Sequence, residues 1–323
     1  MGLKAFLSED EIINITFVIQ IFMIKYPKIK ELNEIFRKNP FISTDTRNIK
    51  KDSIFFALKG DKFDGNSFAK QALDKGAKYA VVSDPKCAPD TRYILVKDTL
   101  KTLQDLAYIH RRNLKIPIVA ICGSNGKTTT KELIRSVLSQ KYNVFSTHGN
   151  LNNHIGVPLS LLQINKKHQI AVVEIGANHI GETKKLCEIA EPVIGLITNN
   201  GEDHLAGFGG IKGVIKANNE LYQFLRKNRG LVFVNQDDRL LSKLSKGINR
   251  FTYGQDKKAD VSLVPSKLIP NIEILVGKNR IKFVESRISE IKEAITKQDI
   301  KDLLNDGAII ISDKKGIEIS TNT

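Results

Sequence analysis

One stretch limits the possible folds of this chain more than any other: "IPIVAICGSNGKTTTKELIRSVLSQ", residues 116 to 140. Apolar, strand-forming residues run through two glycines three apart and straight into a helical period. A strand that leads into a helix can meet its next strand only after a crossover, so the pairing must be parallel. Downstream, "NVFST", "AVVEIGA", "VIGLITN" and "GLVFVN" alternate with the helical periods "TKKLCEIA" and "VIKANNELYQFLRK". That alternation predicts an α/β domain, a mostly parallel sheet with helices on both faces. "FTYG" and "ADVSLVP" read as its trailing edge strands.

The loop itself suits phosphates. Gly123 and Gly126 let the backbone turn N–H groups inward, Lys127 offers a point charge to terminal phosphates, and the Thr128 hydroxyl can meet magnesium. A helix starting near Thr129 would add its positive dipole end. The eight-residue phosphate-loop pattern requires glycine at 121 and finds Ile121, so the motif is the shorter GxxGKT. A plain glycine turn between strand and helix is the competing reading.

Ahead of this domain, residues 28 to 98 read as a smaller α/β unit. Its elements are a helix over "IKELNEIFRK", strand "SIFFAL", helix "GNSFAKQALDKG" and strands "YAVVSD" and "RYILV". A helix over "TLKTLQDLAYIHRRNL" leads to Pro117. The expected division is a non-core leader over 1–22, a first domain over 23–113, a central domain over 114–265 and a short α+β appendage over 266–323. The apolar run "IINITFVIQIFMI" has 13 residues, short of the ~20 a spanning helix needs, and follows acidic "SEDE" instead of a basic segment. Met23 is an equally good start. With 323 residues, 41% of them hydrophobic, the chain can bury a real core, which excludes disorder throughout. Cys87, Cys122 and Cys187 are odd in number and show no ligand spacing, which argues for a reducing cytoplasm and against a disulfide framework or zinc site. A formal charge of +15 implies anionic partners: nucleic acid, a membrane surface or phosphorylated small molecules. The lysines are scattered, as on solvated faces, with no basic arm and no aromatic-interleaved basic patch.

"GSNGKTTTKEL" resembles the ATP loop of the Mur ligases. "STDTRNIKKDSIFFALKGDKFDGNSFAKQALDKGAKYAVV", "GNLNNHIGVPLSLL", "VVEIGANHIGE", "GLITNNGEDHLAGFGGIKGVIK" and "VFVNQDD" extend the likeness over roughly residues 23 to 262. The resemblance implies an ATP- and Mg2+-dependent amide ligase of peptidoglycan precursor synthesis. Its substrates would be UDP-N-acetylmuramoyl-tripeptide and D-alanyl-D-alanine: the tripeptide carboxylate takes a phosphoryl group and the amine then displaces it. It implies catalytic roles for Lys127, Glu174 and His204, and metal binding by Thr128, Glu174 and His204. Gly123, Ser124, Asn125, Gly126, Lys127, Thr128 and Thr129 would hold the triphosphate, and Asn235 and Asp238 the adenosine. Asn150, Asn152, Asn153 and His154 would meet substrate phosphates and the muramyl peptide, and Ser43, Thr44, Asp45, Arg47, Lys59 and Gly60 the uridine nucleotide. Each has a plainer alternative: a strand-end acid, a structural histidine, a polar turn, or a capping cluster.

Two departures stand out. Asn218 occupies the position where the family often has a carbamylated lysine, with Lys216 two residues earlier, and Asn200 and Asp203 stand where the family often shows an apolar and a small residue, with Glu202 between them at a variable position. An amide is a weaker magnesium ligand than a carboxylate. Only some sixty residues follow "FTYGQDKKADV", too few for the family's amine-binding third domain of about a hundred residues or more. The tail, with helices over "EIKEAI" and, after a Thr296 cap, "KQDIKDLLNDG", then Gly307 and a strand, resembles the start of archaeal and eukaryotic large-subunit ribosomal protein nineteen. An ordinary helical appendage is the alternative. The leading expectation is a monomer with no membrane span and no nucleic acid partner, with a separately supplied C-terminal domain left open. Rival readings are a truncated, non-catalytic ATP/UDP-nucleotide-binding module and an RNA-associated protein.

Overall fold

A computed structural model describes residues 28–60, 63–201, 205–264, 272–276, 279–283, 310–312 and 316–318. The leader, the tail helices, Glu202, Asp203 and His204 lie outside the described residues. The chain forms two units, dividing between Arg112 and Asn113.

In the first unit, β1 (Ile42–Ser43), β2 (Ile54–Phe56), β5 (Tyr79–Val82) and β6 (Tyr93–Leu95) form a parallel sheet in that order. A small antiparallel pair, β3 (Lys59–Gly60) and β4 (Phe63–Asp64), follows β2. The helices are α1 (Ile29–Lys38), α2 (Ala69–Asp74) and α3 (Thr99–Asn113). Ile54, Phe55 and Phe56 are all buried, as a parallel strand covered on both faces requires. Phe55 packs with Ala69, Ala72, Leu73, Ala80 and Val82, which seats α2 on the sheet. The helix expected over "GNSFAKQALDKG" begins as a 3-10 turn, Gly65–Phe68, because Asp64 accepts from the Asn66 N–H and tightens the entry.

In the second unit the sheet order is β8 (Val144–Ser146), β9 (Ile170–Glu174), β7 (Ile118–Cys122), β10 (Ile194–Ile197), β11 (Leu231–Asn235), β12 (Asn249–Gly254), β13 (Val261–Val264), β14 (Ile272–Val276) and β15 (Asn279–Phe283). Pairing is parallel from β8 to β13 and antiparallel through the last two. The trailing strands are therefore not the edge: β14 pairs with β13 in the register Val261↔Val276, and the sheet continues into what was expected to be a separate appendage. A further antiparallel pair joins Ile310–Ser312 to Gly316–Glu318.

The crossover helices are α4 (Lys127–Leu138), α5 (Gly156–Gln163), α6 (Glu182–Ala190), α7 (Leu205–Phe208), α8 (Ile211–Lys227) and α9 (Arg239–Leu244). Along α8, Val214, Ala217, Leu221 and Leu225 recur at three- and four-residue spacing and are buried. Among the described residues no helix is long and apolar enough to cross a membrane. The order of the strands positions the site. The chain leaves β7 for the far edge at β8, returns through β9, and crosses β7 to reach β10. The carboxyl end of β7 is thus the point where the winding reverses, and there the flanking loops diverge to leave a crevice.

Candidate active site

Gly123 has φ 127° and Gly126 has φ 79°, a left-handed region open to glycine at little cost. Gly126 is the N-cap of α4, so the helix starts at Lys127 and not near Thr129, and Lys127 and Thr128 fall in its first turn. The first-turn N–H groups of a helix lack intrahelical acceptors and carry its positive dipole end. Ile121, where a longer loop would have glycine, is a fully buried residue of β7. The loop is short because the strand continues through Cys122.

Lys127 Nζ donates to the carbonyls of Gly123 and Ser124, each at 2.7 Å, so the loop curls around its own ammonium. Its outer side is pinned by the segment after β10. Thr198 Oγ1 and Asn199 Nδ2 donate to the Asn125 carbonyl at 2.7 and 3.0 Å. The Asn125 N–H returns a bond to Asn199 Oδ1, the Ser124 N–H donates to the Asn199 carbonyl, and the Gly201 N–H donates to Ser124 Oγ. The Ser124 and Asn125 N–H groups therefore brace the loop internally, while Gly126, Lys127, Thr128 and Thr129 form the end that faces outward from the helix.

Glu174, the last residue of β9, is 2% exposed. Thr128 Oγ1 donates to its Oε2 at 3.0 Å, and Asn152 Nδ2 donates to its Oε1 at 2.8 Å. The Glu174 N–H donates to Thr147 Oγ1, and Lys131 Nζ lies 3.7 Å from Oε2 while donating to the Thr147 carbonyl at 2.7 Å. Reading the sequence for sites missed Lys131, Thr147, Thr198 and Asn199. Only Lys131 left a signal: it stands three residues after Thr128, on the same helix face.

The "GNLNNHIG" residues divide. Asn152 reaches Glu174, and its carbonyl accepts from the Gly176 N–H. Asn153 Oδ1 accepts from the Ile155 and Gly156 N–H groups at the start of α5. Asn150 and His154 are exposed. Asn152, Asn153, Gly123, Lys127 and Asn218 line one cleft of about 140 Å³. That is below the few hundred Å³ of a small-molecule pocket. Asn218 Nδ2 donates to Asn200 Oδ1 at 2.9 Å, whereas Lys216 is exposed. At the end of β11, Asp238 Oδ1 accepts from the Leu240 and Leu241 N–H groups and caps α9, and Asn235 Oδ1 accepts from the Asp237 N–H.

In the first unit, the parallel register sets Ser43 opposite Phe55, so the turns after β1 and β2 leave the same sheet edge. Ser43 Oγ donates to the Asp45 carbonyl, and Thr44 is half-buried. Arg47 donates from Nε and a terminal nitrogen to the Asp45 carboxylate. Those side-chain bonds, with the Arg47 N–H, hold the Asp45 carboxyl down at about 2. Lys59 lies 3.8 Å from Asp64, and Gly60 ends β3. Asn66, 5% exposed, ties this edge to β5 by donating to Asp64 Oδ1 and accepting from the Ser83 N–H.

Among the described residues no three His, Cys, Asp or Glu side chains converge as a metal cluster. A cation here would take Thr128, Glu174 and oxygens of water or phosphate, which is magnesium's habit. Adjacent ligands of octahedral magnesium stand about 2.9 Å apart, and Thr128 Oγ1 and Glu174 Oε2 are separated by 3.0 Å. The residues present fit that ion.

A glycine loop at the reversal point of a wound parallel sheet, backed by a strand-end acid, defines an α/β protein of the phosphate-loop type. Residues 39–118 match the Mur ligase family catalytic domain and residues 121–295 the Mur ligase middle domain. The chain belongs to the Mur ligase family. It is 41% identical over 212 residues to the UDP-N-acetylmuramoyl-tripeptide--D-alanyl-D-alanine ligase of Haemophilus influenzae, covering 64% of this chain and 46% of that protein. It is 38% identical over 225 residues to the enzyme of the same name from Bacillus subtilis, covering 69% and 49%. MurF from Acinetobacter baumannii superposes with a TM-score of 0.67 at 32% identity, over 82% of this chain and 59% of that one. The ADP complex of Thermotoga maritima MurF gives a TM-score of 0.69 at 26% identity, over 87% and 65%. The chain spans about half the length of the curated relatives it matches.

Proposed function

We propose that this chain forms the nucleotide-handling part of an ATP-dependent ligase that joins D-alanyl-D-alanine to UDP-N-acetylmuramoyl-tripeptide. The observation that carries the reading is the Thr128–Glu174–Asn152 cluster beside the Lys127 loop, in a chain whose relatives bear that enzyme's name. ATP transfers its γ-phosphoryl group to the tripeptide carboxylate, and the dipeptide amine displaces phosphate to leave the amide. On this reading residues 114–265 hold ATP and residues 23–113 hold the uridine nucleotide. Lys127 exchanges its carbonyl partners for phosphate oxygens, offsetting charge on the transferring group. Thr128 and Glu174 hold magnesium, which supplies charge neutralisation at the phosphates, and Asn152 fixes the rotation of the Glu174 carboxylate. Arg47 and Lys59, on one edge of the first sheet, suit a diphosphate. The substrates are soluble nucleotides and a dipeptide, and we place the reaction in the cytoplasm.

Calorimetry with magnesium-ADP, followed by phosphate release with both substrates, tests the reading. Lys127→Ala is expected to weaken nucleotide binding by at least about tenfold, the weight of one charge-assisted bond, with little change in melting temperature. Unchanged nucleotide affinity in that variant would refute it.

A second reading, a nucleotide-binding module without ligase turnover, is favoured by one observation: the cleft is lined by neutral Asn218, whose amide is tied to Asn200. Tight nucleotide binding with no phosphate release, in the presence of both substrates and of any separately supplied third domain, would select it.

A further inference from the structure

α4 fully buries one side chain, and it is a lysine: Lys131 is 1% exposed. An ammonium taken from water needs charge and hydrogen-bond partners around it. Lys131 Nζ donates to the Thr147 carbonyl at 2.7 Å and lies 3.7 Å from Glu174 Oε2 and 3.4 Å from Glu132 Oε1. Glu132 in turn accepts from Arg135 Nε at 2.9 Å. The four groups form a charge-balanced chain, Glu174, Lys131, Glu132, Arg135, running from the loop to the surface.

We propose that Lys131 is a built-in counter-ion for Glu174: it stands in for a divalent cation in the unloaded site, so that metal enters with the nucleotide and not before it. The inference rests on the reading of Thr128 and Glu174 as the metal pair. Both Glu174 oxygens are engaged, Oε1 by Asn152 and Oε2 by Thr128, with the ammonium beside Oε2. A buried carboxylate held on both oxygens keeps its orientation without metal. Lys131 cannot swing away easily, because Thr147 holds its Nζ through the carbonyl while holding the Glu174 N–H through Oγ1. An incoming dication therefore meets an acid already neutralised, with the Lys127 ammonium one turn earlier on the same helix. Polyphosphate oxygens reverse that balance. Lys131 is a positioning residue: it acts on the metal through Glu174.

Manganese supplies the probe, with free Mn2+ followed by electron paramagnetic resonance on the full chain, alone and with ADP. The wild type is expected to hold Mn2+ with ADP and to hold it far more weakly without. Lys131→Met should tighten binding of Mn2+ alone by about tenfold or more, since a unit charge a few ångströms away is removed, and Mn2+ alone should then raise its melting temperature. Lys131→Arg should keep the wild-type pattern. Glu132→Gln leaves Lys131 with Glu174 as its one acidic neighbour among the described residues and should weaken Mn2+ binding in the ADP complex; it decides the matter if the methionine variant does not fold. A folded Lys131→Met protein with unchanged or weaker Mn2+ binding overturns the proposal, as does a Glu132→Gln protein with unaltered Mn2+ affinity. A wild type that binds Mn2+ equally well with and without ADP also overturns it, whereas one that binds no Mn2+–ADP at all sinks the nucleotide-site reading beneath it.

Discussion

The Thr128 hydroxyl donates to Glu174 Oε2 across 3.0 Å, linking the first turn of α4 to the end of β9, 46 residues away. This bond joins the two halves of the site before any ligand arrives. It exists because β9 pairs with β7 in parallel, Ile121 opposite Glu174, so the strand-end acid emerges beside the loop that β7 feeds.

Among the described residues, removing the Glu174 carboxylate leaves half-exposed Glu132 as the one acid beside buried Lys131. Glu174→Ala should destabilise the second unit by about 3 kcal/mol, the cost of breaking a buried ion pair. Thr128→Val, which removes one neutral hydroxyl donor, should cost about 1 kcal/mol. Chemical denaturation of both variants checks the ratio; equal losses would mean that Lys131 does not depend on Glu174.

The two loop glycines should differ. A Cβ at Gly126 would meet nothing within 4 Å, so Gly126→Ala carries only left-handed strain of about 1 kcal/mol. A Cβ at Gly123 would lie 2.2 Å from Thr198 Oγ1 and 2.9 Å from the Thr198 nitrogen. Gly123→Ala should therefore lose both stability and nucleotide affinity by pushing the loop off the β10 segment. Thermal melts with and without ADP separate the two effects.

Thiol chemistry should report folding of the second unit. Burial pushes the Cys122 thiol up to about 12 and raises Cys187 well above its ordinary value, so neither supplies thiolate near neutral pH. Cys87 in the first unit is half-buried, and burial raises its thiol too. Labelling at neutral pH should modify one thiol readily and the other two only on denaturation. Three fast thiols would contradict the buried placement.

Acid should weaken the turn after β1. Its own bonds to Arg47 hold the Asp45 carboxyl at about 2, below its ordinary 3.8. A depressed carboxyl contributes stability that is complete above the ordinary value and is lost as pH falls through the lowered one. The Asp45 contribution should fade between 3.8 and about 2, and salt should diminish it because the pair faces solvent. An Asp45→Asn variant should show a flatter acid limb by nuclear magnetic resonance of the first unit; an unchanged limb would show that the pair is solvated in solution.

Read alone, the sequence determined the winding and the loop. Short continuous apolar runs, helical periods and the Gly123–Gly126 spacing are local patterns, and local patterns dictate which segments become strands, helices and turns. The same holds for Glu174 at a strand end and for Asp238, whose place before a helical run also marks it as a cap. Only the tertiary structure decided which side chains meet. The sequence sets Lys131 on the same helix face as Thr128, but only the packing of α4 against β9 buries it beside Glu174. Thr198 and Asn199 brace the loop because β10 lies next to β7, a neighbour relation that comes from crossing the sheet. The hairpin β14–β15 extends the sheet past β13, which is a matter of edge pairing between distant segments. Burial and pairing arise from the positions of other strands, and no local run of residues records those positions.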